Sequence, residues 1–196
     1  MKLASIAQSM KKTALAAVAA ATLMVALQPA SAQMFNNSPE RIEFTVDVAE
    51  DMNLFVEPRV PVGTEPLRGS FFVTEGKIFP AHTIPSVGGD QFDPNAVGGA
   101  IGAWFCKGTF LVKGSLFDQT PMAVLSDQVY LLTNDKQSIA TTGAEGSAPT
   151  VRAVIGGTGM YAGYTGEQRQ EFLGFNKTGG VNLRVTITLR KTANFR

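Results

Sequence analysis

The sequence predicts an all-β protein, most simply an eight-stranded antiparallel β-barrel. Apolar and polar side chains alternate with a period of two from Ile42 to Val48, which indicates a half-buried strand. Similar runs are separated by turns rich in Gly, Pro and Asn, and no apolar stripe of helical period follows residue 33. A closed barrel and a two-sheet sandwich both fit this pattern. The barrel is favoured because closure leaves no exposed strand edge.

The N-terminal segment has the three parts of a secretory signal peptide. Lys2, Lys11 and Lys12 precede an uncharged apolar run, and Pro29-Ala30-Ser31-Ala32 supplies small residues for cleavage before Gln33. The run of about 15 residues is short for a helix that crosses ~30 Å of hydrocarbon, which argues against an uncleaved anchor. We therefore expect a cleaved signal peptide at 1–32, a polar lead-in at 33–39 and a barrel domain at 40–196. Such a chain is exported, to the periplasm or the extracellular space.

Composition narrows the classes of partner. The sequence has 17 Lys and Arg and 16 Asp and Glu, and three of the basic residues lie in the leader, so the mature net charge is −2. A nearly neutral surface gives no electrostatic reason to bind nucleic acid or to insert stably in a membrane. Cys106 is the one cysteine, so no internal disulfide forms and the core must supply the stability.

Eight segments carry the strand pattern. Gly102, Gly108 and Gly114 recur within one of them, at a spacing that favours bulges and tight coiling. A long loop from Pro80 to Gly99 separates the second segment from the third. The predicted strands are 40–48, 69–79, 100–117, 122–133, 137–142, 151–155, 160–175 and 181–191.

Two local features could in principle carry chemistry. Gly156-Gly157-Thr158-Gly159 would cradle a phosphate only if it opened a helix, but a strand-like segment follows, so a tight turn is favoured. His82 is the one histidine, and with Cys106 it makes no metal-ligand set and no nucleophilic triad. Ionisable residues within strands are better candidates, because one or two of them could face a barrel lumen. They are Asp47, Arg152, Glu167, Arg169, Glu171 and Arg184.

The stretch from Arg152 to Gly166, RAVIGGTGMYAGYTG, resembles the signature of dirigent proteins and the allene oxide cyclase barrel superfamily. Supporting similarity lies at Gly76–Pro80, Gly108–Phe110, Asp127–Leu131 and Asn182–Ile187. The resemblance implies an eight-stranded antiparallel barrel with an apolar lumen, assembled as a homotrimer, with no metal or organic cofactor. Dirigent proteins steer the coupling of phenoxy radicals, and allene oxide cyclases close a fatty-acid epoxide. Thr165 stands where plant dirigent proteins usually carry an Arg.

Three functions follow from this resemblance. The first is a non-oxidative barrel that binds and orients a small hydrophobic or aromatic molecule, with Asp47, Arg152 and Tyr161 as candidate ligand contacts in the lumen. The second is a cofactor-free cyclase or isomerase, which requires a lumen carboxyl group of raised pKa or an Arg/Tyr pair. The third is a structural barrel that binds another envelope protein. The fold alone does not choose among them.

Overall fold

The computed structural model describes residues 40–57, 69–111, 124–132, 136–146 and 149–192. Within these ranges the chain forms eight strands and three short 3-10 turns, at Met52–Leu54, Gly89–Gln91 and Gly159–Tyr161. The strands are β1 (Arg41–Glu50), β2 (Phe71–Pro80), β3 (Gly102–Phe110), β4 (Val124–Leu132), β5 (Gln137–Glu145), β6 (Thr150–Gly157), β7 (Tyr164–Phe175) and β8 (Val181–Lys191).

The sheet closes on itself. Each strand pairs antiparallel with the next, and β8 returns to pair with β1, with Val185 opposite Val46. The prediction of an eight-stranded antiparallel barrel is confirmed, and the sandwich alternative is excluded. None of the helical turns in the described residues is long and apolar enough to cross a membrane.

Several strand boundaries differ from the prediction. Residues 160–163 were expected within a strand, but Gly159–Tyr161 is a 3-10 turn and β7 begins at Tyr164. Gly159 and Gly163 have φ of +62° and +78°, a left-handed conformation that interrupts the strand. β3 ends at Phe110, and the predicted continuation over 112–117 lies outside the described residues, as do the leader and the lead-in.

The Gly-Gly-Thr-Gly motif ends β6 and begins the turn to β7, which agrees with the turn favoured from the sequence. Thr158 fixes it to β5, because its side-chain oxygen accepts a hydrogen bond from the Ser138 backbone N–H at 3.0 Å. A Cβ on Gly157 would come within 2.6 Å of the Tyr161 Cβ, so only glycine lets the 3-10 turn pack this closely.

Alternation along the strands separates the lumen from the outer wall. One side chain in two points inward, and these residues form the main apolar core, with Val48, Ile78, Ile139 and Ile187 among its fully buried members. Gly108 also points inward, where a Cβ would collide with the Phe72 ring. The lumen of the described barrel is therefore packed by side chains through its middle.

A second, smaller core lies on the outside of the barrel. The loop 81–99 folds back over β1, β2 and β8, and its Ile84 and Phe92 pack with Ala49 and Phe79. Phe79 and Phe92 meet edge to face, with ring centroids 5.2 Å apart. This stretch of the outer wall is covered by protein, although alternation would otherwise expose it to water.

Candidate functional site

The lumen differs in chemistry between its two ends. At the end where β1 begins, the inward side chains are aromatic and aliphatic, and Tyr161 packs over them against Phe44, with ring centroids 6.0 Å apart. At the end where β1 finishes, several inward side chains are polar. We call this group the polar cluster; it consists of Ser126, Gln128, Tyr130, Glu145, Arg152, Gln168 and Gln170.

An ion pair lies at the centre of the polar cluster. Arg152 Nη1 donates to Glu145 Oε1 at 2.9 Å, and Arg152 Nη2 donates to the Ser126 carbonyl oxygen at 2.7 Å. The Arg152 side chain is completely buried, whereas 24% of the Glu145 side chain is exposed. The Ser126 hydroxyl also donates to Glu145 Oε1. The carboxylate therefore neutralises a guanidinium inside the barrel while it keeps some contact with water.

Three glutamines extend the polar cluster across the lumen. Gln128 Nε2 on β4 donates to Glu145 Oε1 and to Gln170 Oε1 on β7, each at 3.1 Å. Gln168 Nε2 donates to the Gln128 and Gln170 carbonyl oxygens, also at 3.1 Å. The Tyr130 hydroxyl donates to Gln128 Oε1 at 2.6 Å. Because β4 and β7 are not neighbours in the sheet, these bonds span the interior and hold opposite walls together.

Hydrogen bonding in this region is incomplete. Among the described residues, four buried side-chain atoms have no hydrogen-bond partner: Trp104 Nε1, Thr141 Oγ1, Arg152 Nε and Gln168 Oε1. All four belong to inward-facing residues. The Trp104 indole approaches the Tyr130 hydroxyl and lowers its pKa, but the atoms do not reach hydrogen-bonding geometry. Each unpaired buried group costs about 1–3 kcal/mol, so the interior is less stable than its packing allows.

A second carboxyl group faces the lumen at the same end. Glu50 is buried at the end of β1, where the Thr74 hydroxyl donates to one of its oxygens at 2.7 Å and the Val181 N–H donates to the other at 2.9 Å. Burial raises the pKa of this carboxyl above its ordinary 4.5, and the negative charge of Glu145 raises it further, although the two hydrogen bonds oppose the shift. Burial thus favours the protonated form of Glu50 more than that of an exposed carboxyl group.

Cys106 and Tyr130 are two further ionisable residues buried in the lumen, on β3 and β4. Burial raises the pKa of the Cys106 thiol, and the charge of Glu145 raises it further. Burial raises the pKa of the Tyr130 phenol, which the charge of Arg152 partly opposes. Both groups are therefore neutral at physiological pH, and neither is an activated nucleophile. No cluster of three or more His, Cys, Asp or Glu suited to a metal occurs in the described residues.

The three predicted ligand contacts lie in different places. Arg152 is in the lumen, inside the polar cluster. Tyr161 is buried at the opposite end of the barrel, against Phe44. The expectation that Asp47 faces the lumen does not agree with the structure, because its neighbours Val46 and Val48 take the inward positions. The structure does not bring the three together, and their role as ligand contacts stays a prediction.

The Asp47 carboxylate accepts hydrogen bonds from two residues on the outer wall of the barrel. Its Oδ1 accepts a hydrogen bond from Arg184 Nε at 2.9 Å, and its Oδ2 accepts one from the Ile84 N–H at 2.9 Å. Arg184 Nη2 also donates to the Ile84 carbonyl oxygen at 3.2 Å. The carboxylate therefore ties the loop 81–99 to β1 and β8. This contact explains why a charged residue is fully buried outside the lumen.

The other ionisable strand residues and Thr165 face outward. Glu167, Arg169 and Glu171 alternate with the inward Gln168 and Gln170 along β7. Thr165 is exposed opposite Arg190, and both line a surface groove of about 380 Å³ with Val154, Gly166, Glu167 and Thr188. The position that distinguishes this chain from plant dirigent proteins therefore does not contribute a side chain to the lumen.

Comparison with solved structures identifies the fold. The pterocarpan synthase dirigent protein PsPTS1 is 13% identical, with a TM-score of 0.58 over 80% of this chain and 99% of that protein. The pterocarpan synthase dirigent protein GePTS1 is 12% identical, with a TM-score of 0.54 over 80% and 88%. The chain has the dirigent-type barrel fold. A weaker likeness, with a TM-score of 0.47 and 12% identity, links it to the Diels-Alderase AbmU from Streptomyces koyangensis over 83% of this chain and 74% of that one.

At the level of sequence, no protein-family model matches the chain, and the curated proteins contain no match to it. The identities to the dirigent structures are low, so the likeness establishes the barrel and its topology and leaves the activity open. The resemblance to dirigent proteins inferred from residues 152–166 agrees with this fold.

Proposed function

We propose that this protein is an exported barrel that binds and orients a small hydrophobic or aromatic molecule in its lumen without a redox cofactor. One observation carries the proposal: a polar cluster with unpaired hydrogen-bonding atoms lies inside an otherwise apolar barrel. Pockets for small ligands combine these two features, since apolar walls supply affinity and a few fixed polar groups set the orientation.

A purely structural role explains the polar cluster less well. Replacing a buried ion pair with apolar side chains of similar volume is often neutral or stabilising, by about 1–4 kcal/mol. A barrel selected only for stability would gain from an apolar interior at Arg152 and Glu145, and from pairing the orphaned Arg152 Nε and Gln168 Oε1. Retention of incompletely paired polar groups in a core is typical of sites that meet another molecule.

The packing of the lumen specifies how such a molecule must enter. Tyr130, Ile139, Gln168 and Ile187 are almost completely buried, which leaves no water-sized approach to the middle of the barrel. The exposed part of Glu145 places the polar cluster near the end where β1 finishes. We expect a ligand to approach from that end and to displace some of the side chains that fill the lumen. Binding then requires a conformation that is less populated than the packed one. The apparent affinity is reduced in proportion to the fraction of molecules in that conformation.

A cofactor-free cyclase or isomerase is the second candidate. Its support is the pair of lumen carboxyl groups, of which Glu145 is bound to a guanidinium and Glu50 has a raised pKa. Two carboxyl groups in unlike environments can divide the roles of base and acid. Glu50→Gln separates the candidates: loss of turnover with retained ligand binding would support the enzyme. Equal binding with no turnover in either protein would favour the binder.

Export and self-assembly complete the proposal. The leader at 1–32 supports delivery to the periplasm or the extracellular space, and the neutral surface gives no reason to expect nucleic acid or stable membrane insertion. Exposed apolar side chains on β2, β4 and β6 support a homotrimer, because contact between copies would remove them from water. They include Phe71, Val73, Leu125, Val151 and Ile155.

The direct test is native mass spectrometry of the protein purified from its own host, followed by a thermal-shift screen of aromatic and fatty compounds. The proposal expects a co-purifying small molecule, or a hit whose binding is weakened by changes in the polar cluster. Gln170→Leu is the informative variant because Gln170 is near the exposed part of the cluster, and Gln91→Leu on the outer loop is its control. Absence of both a co-purifying molecule and a hit would contradict lumen binding.

A further inference from the structure

Glu145 fixes the orientation of every amide in the polar cluster. A carboxylate only accepts hydrogen bonds, so Gln128 and Gln170 must turn their NH₂ groups toward Glu145, at 3.1 and 3.3 Å. Their carbonyl oxygens then face Gln168, which must present its own NH₂ group to both of them. The unpaired atom of Gln168 is therefore its acceptor, Oε1, and a flipped amide would set oxygen against oxygen.

The unpaired acceptor and an unpaired donor belong to two residues that are paired across neighbouring strands. Arg152 and Gln168 are direct partners in the β6–β7 ladder and both point into the lumen. Directly opposite residues on antiparallel strands have Cβ atoms about 4.5–5.5 Å apart. Both Arg152 Nη atoms have acceptors, on Glu145, Gly143 and Ser126, so the guanidinium nitrogen without a partner is Nε. One unpaired N–H donor and one unpaired carbonyl acceptor are thus carried by directly paired positions of the wall.

We propose that Arg152 Nε and Gln168 Oε1 form a recognition site for a hydroxyl group on an otherwise uncharged apolar ligand. This proposal rests on the proposed lumen-binding function. A hydroxyl oxygen accepts the Arg152 N–H and donates its own hydrogen to Gln168 Oε1, which satisfies both atoms at once. An ether or ketone oxygen can satisfy only the donor. A carboxylate would face Gln168 Oε1 and Glu145, while an ammonium group cannot accept from Arg152.

The charge of the lumen agrees with an uncharged ligand. Arg152 is neutralised by Glu145, and the thiol and phenol nearby are neutral. Burial also favours the uncharged form of Glu50 by raising its pKa. An ionised ligand would therefore enter a low-dielectric interior with no free partner of opposite sign, at a large desolvation cost.

The experiment compares three probes of similar size on the full mature protein: 2-naphthol, 2-methoxynaphthalene and naphthalene. Isothermal titration calorimetry is expected to give roughly tenfold or stronger preference for 2-naphthol, as for a hydrogen bond to a charged donor. In Gln168→Met, which keeps the side-chain length and removes the acceptor, the preference should fall at least threefold. Thr141→Val is the matched control because it removes a different unpaired lumen oxygen, and it should leave the preference unchanged.

The outcomes distinguish failure of the hydroxyl site from failure of lumen binding as a whole. If the three probes bind equally well to the native protein, the hydroxyl site is overturned while lumen binding stands. A bound water that already satisfies both atoms would give the same equal binding. If Thr141→Val removes the preference for 2-naphthol and Gln168→Met does not, the hydroxyl group is bound elsewhere than at Arg152 Nε and Gln168 Oε1, and the proposed site is overturned. If none of the probes binds, lumen binding of this ligand class is contradicted and the hydroxyl site falls with it. The probe series on the native protein decides the issue even if Gln168→Met fails to fold.

Discussion

Arg152 and Glu145 form an ion pair that runs from a fully buried guanidinium to a partly exposed carboxylate, with Nη1 and Oε1 2.9 Å apart. The pair joins β6 to the end of β5, and Arg152 extends the connection to the β4 backbone through Ser126. The Arg152 side chain thus connects β6 to β4, two strands that are not neighbours in the sheet. The same side chain keeps an unpaired N–H within the lumen, which is the proposed donor to a ligand hydroxyl group.

Removing the cation should strongly destabilise the barrel. Arg152→Met leaves Glu145, Ser126 and Gly143 without their donor, and loss of one partner of a buried pair costs about 3–5 kcal/mol. We expect the lower part of this range because Glu145 reaches water. Urea denaturation followed by tryptophan fluorescence measures the change.

The matched control is Lys107→Met, which breaks the exposed ion pair of Lys107 with Asp127, at 3.5 Å. Its cost should stay below about 1 kcal/mol. Similar losses in the two variants would show that burial adds nothing to the Arg152 pair. The double variant Arg152→Met/Glu145→Leu should recover part of the stability, since no charge is then left unpaired.

The buried carboxyl of Glu50 should make stability depend on pH. Its pKa is raised in the folded protein, so the folded state holds the proton more tightly than the unfolded chain. This contribution is fully present below the ordinary value of 4.5 and is lost as pH rises through the raised pKa. Glu50→Gln should therefore become more stable relative to the native protein as pH increases from 4 to 8, measured by urea denaturation at each pH.

The control for Glu50 is a carboxyl with the opposite shift. Hydrogen bonds from Arg41 and Thr188 lower the pKa of the exposed Glu43, so Glu43→Gln should lose a small amount of stability relative to the native protein as pH rises. Parallel pH profiles for Glu50→Gln and the native protein would contradict a raised pKa at Glu50.

Sequence reasoning could predict the barrel but only part of the site. Period-two patterning and glycine-rich turns are local properties, and they sufficed for eight strands. Arg152 could be predicted because a charged residue within a strand of a barrel is a candidate for the lumen. Gln128, Gln168 and Gln170 were missed because amides carry no charge and are common on exposed strand faces. Gln168 and Gln170 are an even number of residues from the buried Tyr164, and Gln128 is two residues from the buried Tyr130. This spacing puts them on the inward face, and it is the signal that could have identified them.

Asp47 shows why parity alone was insufficient. Its side chain is on the outer wall, yet the loop 81–99 covers it and leaves it fully buried. A loop that folds back onto the barrel depends on contacts distant in sequence, such as Asp47 with Arg184, which lies 137 residues further along. Local patterning does not contain that information.

The outer contact of Asp47 should control the loop rather than the lumen. Asp47→Asn weakens the bond to Arg184 and removes charge from the acceptor of the Ile84 N–H. Hydrogen exchange at residues 81–92 should accelerate severalfold, with the global stability lowered by about 1–3 kcal/mol. Asp90→Asn, on the same loop and exposed, is the control. Unchanged exchange in the loop together with lost lumen binding would reverse this assignment.

Export is testable on the intact chain. Expression of the full sequence in a bacterial host should yield a mature protein that begins at Gln33, detected by intact mass spectrometry of the periplasmic fraction and the medium. Ala32→Arg should block processing because signal peptidase requires a small residue there. Ser38→Arg, beyond the cleavage site, should be processed normally. A full-length chain retained in the cytoplasm of the native strain would exclude the signal peptide.

The proposed homotrimer depends on the outer wall of β2 to β6. Val73 and Leu125 are each about half exposed there, whereas the wall of β7, β8 and β1 carries charged side chains such as Arg169 and Glu43. Val73→Glu and Leu125→Glu should shift the protein from trimer to monomer in light-scattering measurements at micromolar concentration, since a charge in an apolar interface is costly. Thr165→Glu, on the charged wall, should leave the mass unchanged. A monomeric native protein, or dissociation by Thr165→Glu alone, would place the interface elsewhere or remove it.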